Sequence, residues 1–222
     1  SDVNPGDGAW PQVCAGRPRR SAPGLRAGGG ATVTPPGNAA PPAVSGDTTV
    51  ASTIVAADSA FEDLAATADI VIGPDPVVAP LLDTARSCAT GPAHPGNWGD
   101  PTHLMPAAGR YPCDGYFPVI RFDGSELQLT DAVGQGILLV NGDLRIGSGG
   151  TFYGVVVVRG LVVATGGNSE VVGALVARDA ILGGGPGSEG PIAFTYSSCT
   201  VAAALGSAAG VQPIVQRSFV QY

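Results

Sequence analysis

Charged side chains recur through the C-terminal half of this 222-residue chain, with Asp123, Asp143 and Asp179 interleaved among Arg121, Arg145, Arg159 and Arg178. Carboxylates flanked by cations are what cleavage of an acidic polysaccharide would need. Arg159 and Arg178 hold equivalent places in consecutive sequence repeats and form the candidate ligand face, suited to an acidic glycan. The commoner fate of such residues is a solvated corner paired with Asp179 or Glu170. A Ser-His-Asp arrangement would have to recruit His94 or His103, both in a Pro- and Gly-rich stretch, and no Gly-x-Ser-x-Gly turn exists to expose a serine. Gly183 to Gly187 is glycine-rich, but no lysine follows to complete a phosphate loop. Asp100 and Asp114 flank a carbonyl-rich loop without the alternating carboxylates of a calcium site. Trp98 reads as a core cap before an exposed aromatic contact. The expectation is a non-catalytic protein with no metal and no cofactor.

The four cysteines, Cys14, Cys88, Cys113 and Cys199, lie far apart, and only two histidines could join them around a metal. An even number at such spacings reads as two disulfides made in an oxidising compartment. Of the three pairings, Cys88 to Cys113 and Cys14 to Cys199 are expected. The first brackets a single loop, and the second would fasten the N-terminal region to the last strand.

Composition narrows the partners. The net charge is −7 and all 11 cationic side chains are arginine, so no broad basic surface exists for nucleic acid. The basic run Arg17, Arg19, Arg20 and Arg26 lies among Pro, Gly and Ser and reads as a solvated loop. No run of 18 apolar residues could cross a bilayer, so no membrane insertion is expected from the residues present. The chain opens at Ser1 without Met or an apolar stretch, which leaves room for an export signal or anchor ahead of it. Although 34 Gly and 20 Pro are many, 44% hydrophobic residues are too many for a disordered chain, so the glycines must serve a folded, turn-rich architecture.

Residues 1–57 read as a Pro- and Gly-rich extended wrap with short strands near residues 31–34 and 48–55. Residues 58–115 hold a short helix and the disulfide-bracketed loop. In the helix Phe61, Leu64, Ala65 and Ala68 share one face, Asp58 or Ser59 caps the start, and Glu62 and Asp63 sit in the first turn. A strand at residues 70–72 follows. Residues 116–196 form the main body, and 197–222 a C-terminal cap in which Ser198 starts a short Ala-rich helix ending before Gly206, placed over the last coil.

The main body is a repeat. Gly136, Gly154 and Gly173 each open a unit of apolar run, polar or glycine corner and second apolar run, at spacings of 18 and 19 residues. A weaker copy starts at Phe117, and a strand at residues 192–196 follows the last unit. Such a unit cannot bury its own apolar face, whereas stacked units close a continuous core. The expected fold is mainly β: a parallel β-solenoid of about four coils with an irregular N-terminal wrap and one or two short helices. An antiparallel sandwich is the alternative. The parity of Ile137, Leu139, Val155, Val157, Leu175 and Ala177 relative to the core stays open. The unbroken run Val155, Val156, Val157, Val158 requires an outer cover, either the N-terminal wrap or the helix at Phe61.

Five motifs occur in order: Gly96-Asn97-Trp98-Gly99-Asp100-Pro101, then Cys113 with Tyr116-Phe117-Pro118, then Gly134 to Leu144, then Phe152 to Gly160, then Tyr196-Ser197-Ser198-Cys199. Together they resemble the C-terminal ectodomain of bacterial PilX-type pilus assembly proteins, over roughly residues 96–222, with Trp10, Cys14 and the Phe61 helix fitting more loosely. The resemblance implies a minor-pilin-like structural or accessory subunit of a pilus or cell-envelope assembly. Its partners would be other pilus or envelope subunits. Its place would be extracellular or periplasmic, with anchorage through an N-terminal segment absent from these residues. An adhesin or glycan-binding module, an accessory subunit docked on another membrane complex, and a polysaccharide-active enzyme are the alternatives, in falling order.

Overall fold

In the computed structural model of the chain, the residues described are 26–27, 45–46, 61–73, 95–99, 101, 116–165, 167–182 and 192–208. They form a parallel β-solenoid of about three turns. The strands are β1 (Arg26–Ala27), β2 (Ser45–Gly46), β3 (Ile70–Ile72), β4 (Val119–Phe122), β5 (Glu126–Leu129), β6 (Val133–Val140), β7 (Asp143–Ile146), β8 (Thr151–Ala164), β9 (Ser169–Leu182) and β10 (Ile192–Tyr196). Helix α1 is described over residues 61–65, and α2 spans Ser198–Ser207. Every strand pairing is parallel, which rules out the antiparallel sandwich. The repeat count suggests four coils. The weaker Phe117 copy supplies β4 and β5, which pair with β6 and β7, and the stack makes about three turns.

Two walls face each other. The long wall runs β3, β4, β6, the first half of β8, the first half of β9 and β10. The short wall stacks β5, β7 and the second half of β8, and the second half of β9 extends it through Leu161↔Asp179 to Ala164↔Leu182. Between them lie Ile120, Phe122, Leu138, Val140, Val156 and Val158 from one side and Leu127, Leu144, Ile146 and Val162 from the other, all buried. The parity is thereby decided. Ile137, Leu139, Val155 and Val157 point outward, whereas Leu175 and Ala177 point into the core, because the step to the fourth level is 19 residues and sets Val156 opposite Leu175.

The outward aliphatic residues are covered, as the Val155 to Val158 run requires. Phe61, Leu64 and Ala65 of α1 pack on Val119, Ile137 and Leu139, and Ala204 of α2 and its C-cap residue Ala208 join them. Each large aliphatic side chain taken from water this way contributes roughly 1.5–3 kcal/mol. The N-terminal end of α1 and the expected Asp58 or Ser59 cap lie outside the described residues.

Helix α2 corrects an expectation. It runs along the side of the long wall instead of over the last coil, and Ser197, not Ser198, is its N-cap, accepting from the Thr200 N–H at 3.3 Å. The helix also continues through Gly206 to Ser207. Thr200 Oγ1 donates to the Val172 carbonyl at 3.1 Å, at the β9 level, and Ser207 Oγ donates to the Phe117 carbonyl at 2.8 Å, beside β4. The helix thus crosses the whole stack, and its small residues make this approach feasible. Ala204 and Thr200 lie over Gly154 and Gly173, which with Gly136 form a paired column at φ of +135°, +141° and +109°. A Cβ at Gly154 or Gly173 would collide with the glycine carbonyl one coil earlier.

A second column with φ above zero marks the turn into the long wall: Asp131, Gly149 and Asn168, at +49°, +73° and +57°. These are the residue types that tolerate the left-handed region, and they repeat at the same 18- and 19-residue steps. The N-terminal wrap expected over 1–57 lies outside the described residues apart from β1 and β2, which pair in parallel with Arg26 opposite Ser45. The strands expected near 31–34 and 48–55 and the loop from Cys88 to Cys113, save residues 95–99 and 101, are also outside them.

Candidate functional site

The two arginines of the candidate ligand face sit on adjacent coils, at a bulge. Val158 pairs with Ala177 and Leu161 with Asp179, so Arg159 and Gly160 together oppose Arg178. The extra residue frees the Leu161 N–H from its ladder, and the Asp143 carboxylate accepts it at 2.8 Å. Asp143 is therefore a backbone cap. The same bulge turns the Arg159 side chain toward α1.

There Arg159 is fully engaged. Its guanidinium lies 4.0 Å above the centre of the Phe61 ring, pairs with Glu62 at 2.5 Å and donates to Asn141 Oδ1 at 3.3 Å. It clamps α1 to the solenoid. Arg178 is exposed and has no partner among the described residues. The expected pairing with Asp179 or Glu170 is not what these carboxylates do: Asp179 Oδ1 accepts from the Ala180 N–H at 2.8 Å, and Glu170 accepts from Thr195 Oγ1 at 3.0 Å. The two arginines thus do not act as one ladder. Of these two arginines, Arg178 is the one left open to an anion.

The other charges are paired along the coils rather than gathered in one place. Arg121 holds Asp123 at 2.7 Å. Arg145 donates twice to Glu126, at 3.3 and 3.1 Å, and Gln128 donates to the same carboxylate at 2.9 Å. The hydrogen bonds from Arg145 and then Gln128 hold the Glu126 carboxyl below the usual glutamate range, and Glu126 in turn raises Arg145. Among the described residues no group of three or more His, Cys, Asp or Glu could hold a metal ion. No described helix is long and apolar enough to cross a membrane.

Tyr116 and Trp98 belong to a corner that closes the start of the solenoid. The Trp98 ring is fully buried, edge-on to Phe152 at 6.4 Å between centroids, and its indole N–H donates to the Pro95 carbonyl. The core role expected for Trp98 is the observed one. Buried Gln135 donates from Nε2 to the Tyr116 carbonyl, and its own backbone N–H is taken by the Trp98 carbonyl. Burial, helped by the nearby Asp69 carboxylate, pushes the Tyr116 phenol up to about 12. Asp69 itself accepts from the Val119 N–H at 2.8 Å. Burial also raises Tyr153, with Glu170 adding to it.

Cys199 lies in the first turn of α2, 1% exposed, against Phe117, Tyr153 and Ala203. It is half of a disulfide. Its partner, and with it the expected Cys14 to Cys199 and Cys88 to Cys113 bonds, falls outside the described residues. His94, His103, Asp100, Asp114 and Gly183 to Gly187 are outside them too. Sequence reasoning missed Glu62 and Phe61 as partners of Arg159, and no local signal could have joined residues nearly a hundred positions apart; it also missed Asn141, which lies one repeat step before Arg159. It also missed Asp131 and Asn168, which the 18- and 19-residue period could have revealed.

The fold and this surface together define a parallel β-solenoid whose side wall is sealed by two helices and whose charges serve mainly to hold its own coils. Comparison with family models, with curated proteins and with solved structures gives no match.

Proposed function

We propose that the chain is a non-catalytic, exported structural or accessory subunit of a pilus or cell-envelope assembly, similar to the ectodomain of PilX-type pilus assembly proteins. The observation that carries the reading is the use of Arg159. The most promising ligand-binding cation serves to lock α1 onto the solenoid wall, which suits a stiff head that presents surfaces. The disulfide at Cys199 supports passage through an oxidising compartment. The reading places the protein outside the cytoplasm, among other pilus or envelope subunits. Photo-crosslinking from position 71, whose valine is 57% exposed, tests it in the cells that make the protein. Adducts with envelope or pilus proteins are expected, and a cytoplasmic fractionation pattern without such adducts would overturn it.

A second reading, a binding module for acidic glycans, rests on Arg178, exposed and without a partner among the described residues. Retention on an acidic glycan array that is lost in Arg178→Ala but kept in Arg159→Lys would favour this module.

A further inference from the structure

An asparagine side chain loses its amide when the backbone nitrogen of the next residue attacks its amide carbon, and the described asparagines differ in how far the fold permits this. Asn97 is buried, precedes Trp98 and accepts from the Gly99 N–H at 3.3 Å. Asn168 is exposed, but the nitrogen that would attack belongs to Ser169, which is buried and carries a side chain. Asn141 is exposed and precedes Gly142, at the corner between β6 and β7. Having no Cβ, glycine offers the least hindered backbone nitrogen.

The corner leaves that nitrogen available. The Asn141 N–H donates to the Phe122 carbonyl at 3.0 Å, the Asp143 N–H donates to the Ser125 carbonyl at 2.8 Å, and the Gly142 carbonyl accepts from the Gly160 N–H at 3.1 Å. The Gly142 N–H has no acceptor among the described residues, so its proton can leave without breaking a hydrogen bond there. On the side chain, Arg159 Nη1 donates to Asn141 Oδ1 at 3.3 Å. A guanidinium at that oxygen draws electron density from Cγ and stabilises the negative charge that gathers on Oδ1 during attack.

We propose that Asn141 deamidates spontaneously in the folded protein and that Arg159 captures the carboxylate so formed. The Gly142 nitrogen gives its proton to solvent and bonds to Asn141 Cγ, and the Cγ–Nδ2 bond breaks as ammonia leaves, closing a cyclic imide. Water then adds at Cγ, the new N–Cγ bond breaks and the nitrogen regains a proton. The net change is an amide and water to a carboxylate and ammonium. Opening the imide at the main-chain carbonyl instead inserts a methylene into the backbone, and the bonds from Asn141 to Phe122 and from Gly160 to Gly142, on the coils to either side, disfavour that product in the intact stack. The new carboxylate stands one repeat step after Asp123, whose charge Arg121 already balances. Arg159 then holds carboxylates at positions 62 and 141, which fastens α1 more firmly. This is a modification of the corner itself, independent of what the protein assembles with.

The test stores the full-length folded protein at mildly alkaline pH and follows it by tryptic peptide mapping, with digestion at mildly acidic pH so that handling adds no modification. Peptide 122–145 contains Asn141 as its only asparagine, and peptide 160–178 contains Asn168 as its only one. The amide-to-acid mass gain, located at position 141 by fragmentation, is expected to accumulate several-fold faster in the first peptide than in the second, mainly in the aspartyl form. The Asn141→Asp variant, which mimics the product, should show a higher urea midpoint than the wild type, and the rise should vanish in an Arg159→Met background. An unmodified peptide 122–145, a gain as fast at Asn168, or a mainly isoaspartyl product would overturn deamidation in the folded corner. A midpoint in Asn141→Asp no higher than that of the wild type, or a rise that persists in Arg159→Met, would overturn the capture.

Discussion

The long and short walls are built from the same repeat, yet their outer faces are opposites. On the long wall Ile137, Leu139, Val155 and Val157 point away from the core and are covered by α1 and α2. On the short wall Glu126, Gln128, Asp143 and Arg145 occupy the outer positions and are joined to one another or to backbone. A parallel strand with one covered and one wet face alternates, and one buried on both faces reads as a continuous apolar run. The difference teaches that the repeat specifies the coil, while the outer residue of each pair specifies what lies against it.

The sharpest way to break the covered wall is at the glycine column. Gly154→Ala adds a Cβ that meets the Gly136 carbonyl and approaches Ala204 at 3.2 Å, at a φ of +135° that alanine rarely adopts. Strain and backbone displacement combine there, so a loss of about 3 kcal/mol or more is expected in chemical denaturation. Because Thr200 and Ala204 are seated on this column, release of α2 should accompany it, read as faster hydrogen exchange in residues 198–207.

Next in size is the contrast between outer residues of the two walls. Leu139→Ala removes a side chain buried between the long wall and its helices and should cost about 2–4 kcal/mol. Val163→Ala, at a partly exposed outer position of the short wall, should cost less than about 1 kcal/mol. Equal losses in urea denaturation would mean that the helices do not make the long wall an interior.

Much of this division is legible in the residues themselves. The period of Gly136, Gly154 and Gly173 carries the solenoid, and the four-valine run carries the existence of a cover. Which face points inward is not legible: the glycine spacings make Leu138, Val156 and Leu175 equivalent, but only the packed core shows that this set faces it. The position of α2 is also hidden. Its composition marks a helix, but its seat depends on a glycine column that exists only once the coils are stacked. Arg159 illustrates the same limit at the candidate site: its place in the repeat is plain, while its partners Phe61 and Glu62 come from α1 through tertiary packing alone.

Arg159 gives the third effect. Replacing it with Met keeps much of the stem over Phe61 but removes the cation from the ring and from Glu62. A cation–π contact of about 0.5–2 kcal/mol and a partly exposed ion pair of about 0–1 kcal/mol set an expected loss of roughly 1–2 kcal/mol. Arg159→Lys should recover only part, since an ammonium cannot stack on the ring and bridge Glu62 and Asn141 in the same planar geometry. A full recovery would show that charge alone holds α1, and an unchanged midpoint in Arg159→Met would show that the apolar contacts of Phe61 and Leu64 suffice.

The smallest effect belongs to the short wall, at Glu126. Its carboxyl titrates below the ordinary glutamate range because Arg145 and Gln128 donate to its ionised form. A carboxyl lowered in the folded state stabilises the fold at pH values above its unfolded pKa, about 4.3. That contribution disappears as the pH falls through the lower folded value. The pair is exposed on both sides, with side-chain exposures of 42% for Arg145 and 36% for Glu126, so solvent and salt screen it and the effect on stability should be slight. It is best read at the group itself: the carboxyl resonance of Glu126 should titrate below the ordinary glutamate range. In Arg145→Met the Glu126 midpoint should move upward while stability near neutral pH changes less than in Arg159→Met. If Arg145→Met costs as much as Arg159→Met, the short wall depends on its charges as the long wall depends on its helices, and the contrast between them fails at its solvated side.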